Sequence, residues 1–234
     1  MEFTLLAAVL IGVLPVYLVL RWDGHRCGTG VRDLWDIALS AAVIGLFVGR
    51  LAAMISAGVS PIAHPADILI VRGGVATGPA TTAALAAVVW MGRRDLWSVL
   101  DGLAPAAVAG LGGWHAGCLA RGACLGTPSD LPWAVAQGGS AITRHPVEIY
   151  AALALIAAAV TLVLVRPRLE ARPGSATGIA LFVAAAVRLA TEPMRPALGS
   201  GPVGWYSVGV LAGASLVLWA LRPGRKPAPD PDTG

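Results

Sequence analysis

AAAVRLATEPMR, residues 184–195, sets an arginine and a glutamate four residues apart in a run that is otherwise rich in Ala, Val and Leu. In a soluble helix, Arg188 and Glu192 are an ordinary surface pair one turn apart. In hydrocarbon, an arginine at a helix centre costs roughly 2.5–3.5 kcal/mol on insertion scales, and a charge there is read first as functional. The fold therefore turns on which solvent surrounds this stretch.

Composition answers that question. The 234 residues are 56% hydrophobic and 13% charged, where soluble domains carry about a quarter charged residues. Seven apolar runs, approximately 3–20, 37–58, 74–91, 97–119, 147–165, 176–194 and 203–221, are each suited to crossing about 30 Å of hydrocarbon. Backbone polar groups in lipid must be satisfied within the segment, so each run is read as a helix. The expected fold is all-α: a polytopic membrane helical bundle of about seven transmembrane helices, forming one domain over residues 1–221. Residues 222–234, RPGRKPAPDPDTG, are Pro-rich and charged and are expected to be a disordered cytoplasmic tail. The first run lacks a basic leader and a small-x-small cleavage site, so it is expected to stay as a helix.

Arginine and lysine placement predicts orientation. One set of connections holds Arg21, Arg26, Arg32, Arg93, Arg94, Arg166, Arg168, Arg172, Arg222, Arg225 and Lys226, and the other holds Arg72, Arg121, Arg144 and Arg195. The N-terminus is therefore expected outside and the C-terminus in the cytoplasm. Arg50 and Arg188 fall within the apolar runs. Arg50, in VGRLAAMI, suits either snorkelling to the interface or a buried role, whereas Arg188 carries Glu192 on the same face and lies toward the outer end of its helix.

Other polar residues gather on that outer side. GGWHAGCLARGACLG, residues 112–126, brings His115, Cys118, Arg121 and Cys124 there. The Gly113-x-x-x-Gly117 spacing suits close helix approach, which accounts for the glycines and leaves the histidine unexplained. The loop returns through RHPVEIY, residues 144–150, with Pro146 in the first turn of the fifth run. Cys118 and Cys124 face the oxidising side, and their spacing leaves pairing open, while Cys27 falls in an inner loop. The set His115, Cys118 and Cys124 lacks the paired spacing of structural zinc sites, so no metal is expected. The sequence carries neither a nucleophile elbow nor a phosphate loop nor a dinucleotide fingerprint. No cofactor and no nucleic-acid partner are expected, since the net charge of +4 is accounted for by the inner loops.

The order of segments resembles the bacterial prolipoprotein diacylglyceryl transferase family. DLWDIALSAAVIGLFVGRL is similar to a family helix ending in Gly-Ala-Arg-Leu, mapping its arginine onto Arg50. ILIVRGGVATGPATTAALAAVVW resembles the family's I-W-x-G-G-L-S-F-H-G-G-L. LDGLAPAAVAGLGGWHAGCLARGACLGTPSDLPWAV resembles the stretch around G-R-I-G-[NC]-F-x-x-G-[CE]-x-[YW]-G-x-P-T. RHPVEIYAALAL resembles R-H-P-T-Q-L-Y-E-A, and GIALFVAAAVRLATEPMR resembles G-x-x-F-x-x-Y-x-x-x-R-F-x-x-E-x-x-R.

The resemblance implies a multi-pass enzyme of the bacterial inner membrane whose active site faces outward. Its reaction moves the diacylglyceryl group of phosphatidylglycerol to the lipobox cysteine thiol of a preprolipoprotein, and glycerol phosphate leaves. Such chemistry needs an anchored anionic headgroup, a deprotonated thiol and a stabilised leaving phosphate. Arginine forks suit the phosphate. Arg50 and Arg195 are thus expected to bind substrate together with Gly126, Tyr150 and Cys118, with Arg188 and Glu192 at the catalytic centre.

This sequence departs from the motif at defined places. The family's loop histidine falls on Gly78, its signature arginine on His115, its asparagine on Cys118, a glutamate on Ala151 and a polar group of the last helix on Val210. If a base is required, His115 and His145 are the imidazoles expected on the outer side, with His64 more distant. The departures leave one alternative, a catalytically inactive relative that binds phosphatidylglycerol or lipoprotein precursors; the charges within helices leave another, a transporter or channel, for which no broken-helix pair is visible.

Overall fold

The computed structural model describes residues 2–23, 31–69, 74–122, 124–136, 140–169, 171–196 and 202–222. The expected tail beyond Arg222, with Cys27, Arg26 and Arg72, lies outside the described residues, as does the side chain of Arg121. About 75% of the described residues are helical, and among them there is no strand.

The helices are α1 (Glu2–Asp23), α2 (Val31–Ser56), α3 (Ala66–Leu69), α4 (Thr77–Met91), α5 (Leu96–Ala116), α6 (Cys118–Arg121), α7 (Val147–Leu169), α8 (Ser175–Thr191) and α9 (Val203–Ala220), with a 3-10 turn, Glu192–Met194, after α8. Each of the seven apolar runs is a helix. Among the described residues, five spans are long and apolar enough to cross a membrane: Asp33–Ser56, Leu96–Ala120, Val147–Leu169, Ser175–Met194 and Val203–Ala220. The α4 helix has 15 residues, a rise of about 22 Å, which is short of a full hydrocarbon core.

One apolar core is built by α5, α7 and α8, from Ala104, Val108, Ala109, Leu155, Ala159, Leu162, Ala176 and Ala180. Its residues are small because lipid supplies no hydrophobic drive between helices, so association depends on close contact. The same logic joins the outer pairs. Gly113 of α5 packs on the Ile11 carbonyl of α1, Gly213 of α9 on Phe182 of α8, and Gly45 and Gly49 of α2 on Ala80 of α4. A second apolar cluster, Leu20, Leu34, Ile37, Val99 and Ala106, joins α1, α2 and α5 at the end of the bundle where α1 finishes and α2 and α5 begin.

Polar ties secure that same end. Arg166 of α7 and Asp23 of α1 form a buried ion pair. Arg166 was expected among scattered loop charges; instead α7 runs on to Leu169 and carries it inside the bundle. Asp101 of α5 caps α8 from across the helix interface, accepting from the Gly174 N–H at 2.6 Å and from the Thr177 N–H and hydroxyl at 2.8 and 2.6 Å. Gly174 is required there: its φ is +89°, and a Cβ would stand 3.0 Å from the Trp97 ring.

Candidate functional site

The other end of the bundle gathers the polar residues. It is formed by the last turns of α5 and α8, the 3-10 turn, the start of α7 and the loop between α6 and α7. Gly126 is the hinge of this junction. Its N–H donates to the His145 carbonyl at 2.7 Å, the Thr127 N–H donates to the Met194 carbonyl at 2.8 Å, and the His145 N–H donates to the Thr127 carbonyl at 3.1 Å. A Cβ on Gly126 would collide with the Met194 carbonyl and with Val147. The glycine is therefore the position where loop, α7 and 3-10 turn meet.

Residues 127–135 of the loop pair with residues 143–145. Val135 and Arg144 exchange both backbone hydrogen bonds at 3.0 Å, and the Thr143 hydroxyl donates to the Ser129 carbonyl at 2.8 Å. Arg144 Nη1 donates to the Gly126 carbonyl at 3.2 Å. The Trp133 indole N–H donates to the Tyr150 hydroxyl at 2.8 Å, pinning the loop to α7. The His145 ring stands edge-on to Tyr150, 6.2 Å between centroids.

At the centre is Glu148, in the first turn of α7. One carboxylate oxygen accepts from His115 Nδ1 and the other from Arg195 Nη2. His115 is buried, and Arg188 lies near enough to exert a Coulombic pull on the same carboxylate. Sequence reading singled out His115 and Arg195 but passed over Glu148. The signal was available: the motif's arginine is His115 here and its glutamine is Glu148, and the two exchanged positions touch.

Arg188 is held differently from what its spacing suggested. Its Nε and Nη2 donate to the Tyr206 hydroxyl of α9 at 3.3 and 3.0 Å, and its guanidinium carbon is 5.3 Å from the Tyr206 ring centroid. It forms no ion pair with Glu192 among the described residues. The α-helix closes at Thr191 because Pro193 cannot continue it, and Glu192 begins the 3-10 turn. Tyr206 was likewise passed over in GWYSVGV.

Four buried polar atoms at this end have no hydrogen-bond partner among the described residues: Arg188 Nη1, Arg195 Nε, Glu192 Oε2 and His145 Nδ1. Buried polar groups are nearly always satisfied, so each calls for an explanation. Two are guanidinium donors that an anion would satisfy, and the carboxylate oxygen would take a hydroxyl.

Two expected substrate-binding residues are engaged elsewhere. Arg50, buried near the end of α2, gives Nε and Nη2 to the Asp67 carbonyl at 3.0 and 2.8 Å and Nη1 to the Gly74 carbonyl at 2.9 Å. These bonds tie the connection around α3 to α2. Cys118 is fully buried and joined to Cys124 in a disulfide, so its sulfur braces the α6 turn and is not presented to a ligand. His64 is exposed in the α2–α3 connection. Gly78 lies in the first turn of α4, with open space where a side chain would stand.

Comparison with known proteins identifies the family. Residues 4–223 match the family model described as prolipoprotein diacylglyceryl transferase. The phosphatidylglycerol–prolipoprotein diacylglyceryl transferase of Solidesulfovibrio magneticus is 30% identical over 94% of this chain and 88% of its own. That of Pseudomonas paraeruginosa is 31% identical over 69% of this chain and 66% of its own. The Cupriavidus necator protein of the same name is 33% identical, covering 83% and 78%. With the model matching nearly the whole bundle, the chain belongs to the prolipoprotein diacylglyceryl transferase family.

Proposed function

We propose that this protein transfers the diacylglyceryl group of phosphatidylglycerol to the lipobox cysteine thiol of preprolipoproteins. The observation that carries the reading is the set of unpartnered buried atoms on Arg188, Arg195 and Glu192. A phosphodiester offers acceptors to the two guanidinium groups, and a glycerol headgroup offers a hydroxyl to Glu192. Arg188 and Glu192 act at the catalytic centre, Arg195 binds the phosphate, and Gly126 and Tyr150 shape the headgroup's surroundings. His115 or His145 takes the thiol proton, in place of the loop histidine that Gly78 lacks. Arg50 serves the site by holding the α2–α4 connection.

The same reading has all seven apolar helices crossing the bacterial inner membrane, N-terminus outside and C-terminus cytoplasmic, with the site facing outward. The Cys118–Cys124 disulfide beside the site supports that side, because disulfides persist in oxidising compartments. So does the excess of arginine on the opposite connections. A cysteine placed at exposed Ile62 or Trp133, in an otherwise thiol-blocked protein, should react in whole cells with a membrane-impermeant maleimide. Labelling only after lysis reverses the topology.

The activity is tested with purified protein, phosphatidylglycerol and a lipobox peptide, following the peptide's mass. A diacylglyceryl thioether adduct is expected. Lipid binding without adduct favours the second reading, an inactive relative that holds phosphatidylglycerol or lipoprotein precursors, to which Gly78 points. Gly78→His then decides between them: the open space at this position admits the ring, and gain of adduct formation marks the chain as a decayed enzyme.

A further inference from the structure

We propose that Glu148 is a positioning residue that makes His115, rather than His145, the base for the acceptor thiol. The inference rests on the transferase reading above. His115 comes from the end of α5 and Glu148 from the start of α7, and the imidazole Nδ1 meets one carboxylate oxygen. A carboxylate accepts only, so the neutral ring carries its proton on Nδ1 and its lone pair on Nε2. That is the arrangement in which a histidine, oriented by a third group, takes a proton from a nucleophile. Arg195 on the other oxygen keeps the carboxylate from turning away.

Among the described residues His145 has no such orienting partner. Its Nδ1 is buried without a hydrogen bond among the described residues, and its described contacts are its backbone and the Tyr150 ring.

Charge favours the transfer as well. With neutral His115, the two cations Arg188 and Arg195 are matched in number by two carboxylates, Glu148, paired with Arg195, and Glu192. An anionic phosphodiester gains from one more positive charge, and the imidazolium formed on taking the thiol proton supplies it, already paired with Glu148. In the step itself the cysteine S–H bond breaks and its proton goes to His115 Nε2. The sulfur forms a bond to the glyceryl carbon as the carbon–oxygen bond to the phosphate breaks. The leaving glycerol phosphate takes that electron pair and then recovers the proton from the imidazolium.

The motif's own residue types provide a discriminating variant. Positions 115 and 148 correspond to arginine and glutamine in the family motif, a pair without an imidazole. Wild type, Glu148→Gln, His115→Gly and the double variant His115→Arg/Glu148→Gln are assayed for adduct with phosphatidylglycerol vesicles and a lipobox peptide.

Glu148→Gln should lower kcat about 10²-fold, because an amide N–H can donate to Nδ1 and move the ring proton to Nε2. KM for the lipid should be unchanged or lower, since Arg195 is freed. The double variant should stay slow, and His115→Gly should recover rate with added imidazole. The proposal is overturned by a double variant at wild-type rate, which makes the pair a structural equivalent of arginine and glutamine, or by His115→Gly unmoved by imidazole. A wild-type protein that forms no adduct overturns the transferase reading instead, and that measurement comes before any variant.

Discussion

Arg188 and Tyr206 are locked together across the α8–α9 contact, with two guanidinium nitrogens on one phenolic oxygen and the ring beneath the cation. The lock fixes where the remaining nitrogen, Nη1, is aimed. Arg188→Ala should abolish adduct formation in the mass assay, and unchanged activity would remove this residue from the site. Tyr206→Phe keeps the ring and deletes the acceptor. A hydrogen bond to a charged group contributes about 1.5–3 kcal/mol, so kcat/KM should fall by about tenfold or more, with the fold retained.

Gly126→Ala tests the junction where loop, α7 and 3-10 turn converge. The added methyl has no space against the Met194 carbonyl and Val147. Overpacking of this kind costs about 1–3 kcal/mol, and here it pushes apart the segments that carry Arg195, His145 and Glu148. Activity should drop further than the thermal midpoint does. A variant with wild-type kinetics would show that the junction tolerates separation.

The disulfide makes a countable prediction. The chain has three cysteines, two of them paired. Denatured, unreduced protein should take up one maleimide, and reduced protein three. Replacing Cys118 and Cys124 with serine should cost roughly 2 kcal/mol, as expected for closing so short a loop. Three maleimides without reduction would rule out the bridge.

Asp101 offers a stability test remote from the chemistry. Asp101→Ala removes all three hydrogen bonds that cap α8 from α5. Loss of a cap costs about 0.5–2 kcal/mol. Thermal unfolding in detergent should shift down while KM for the lipid holds; a changed KM would mean the cap reaches the far end through α8.

The apolar runs and their helical nature were readable from the sequence, because hydrocarbon leaves the backbone no other means of satisfying its hydrogen bonds; the span of α4 was not, since its helix starts only at Thr77 and has 15 residues. So were the segments that build the site: the ends of α5 and α8 and the RHPVEIY stretch all lie at one end. What each side chain does there was decided by tertiary contact. Arg188 and Glu192 share a helical face by spacing, yet Pro193 ends the helix and Arg188 turns to Tyr206 on α9. Arg50 carries a charge suited to a lipid phosphate, but main-chain carbonyls 17 and 24 residues away take its nitrogens. Glu148 reads as an ordinary first-turn acid until α5 and α8 bring His115 and Arg195 to its two oxygens. One-dimensional spacing orders residues along a helix; partners drawn from three different helices are set only by how those helices pack.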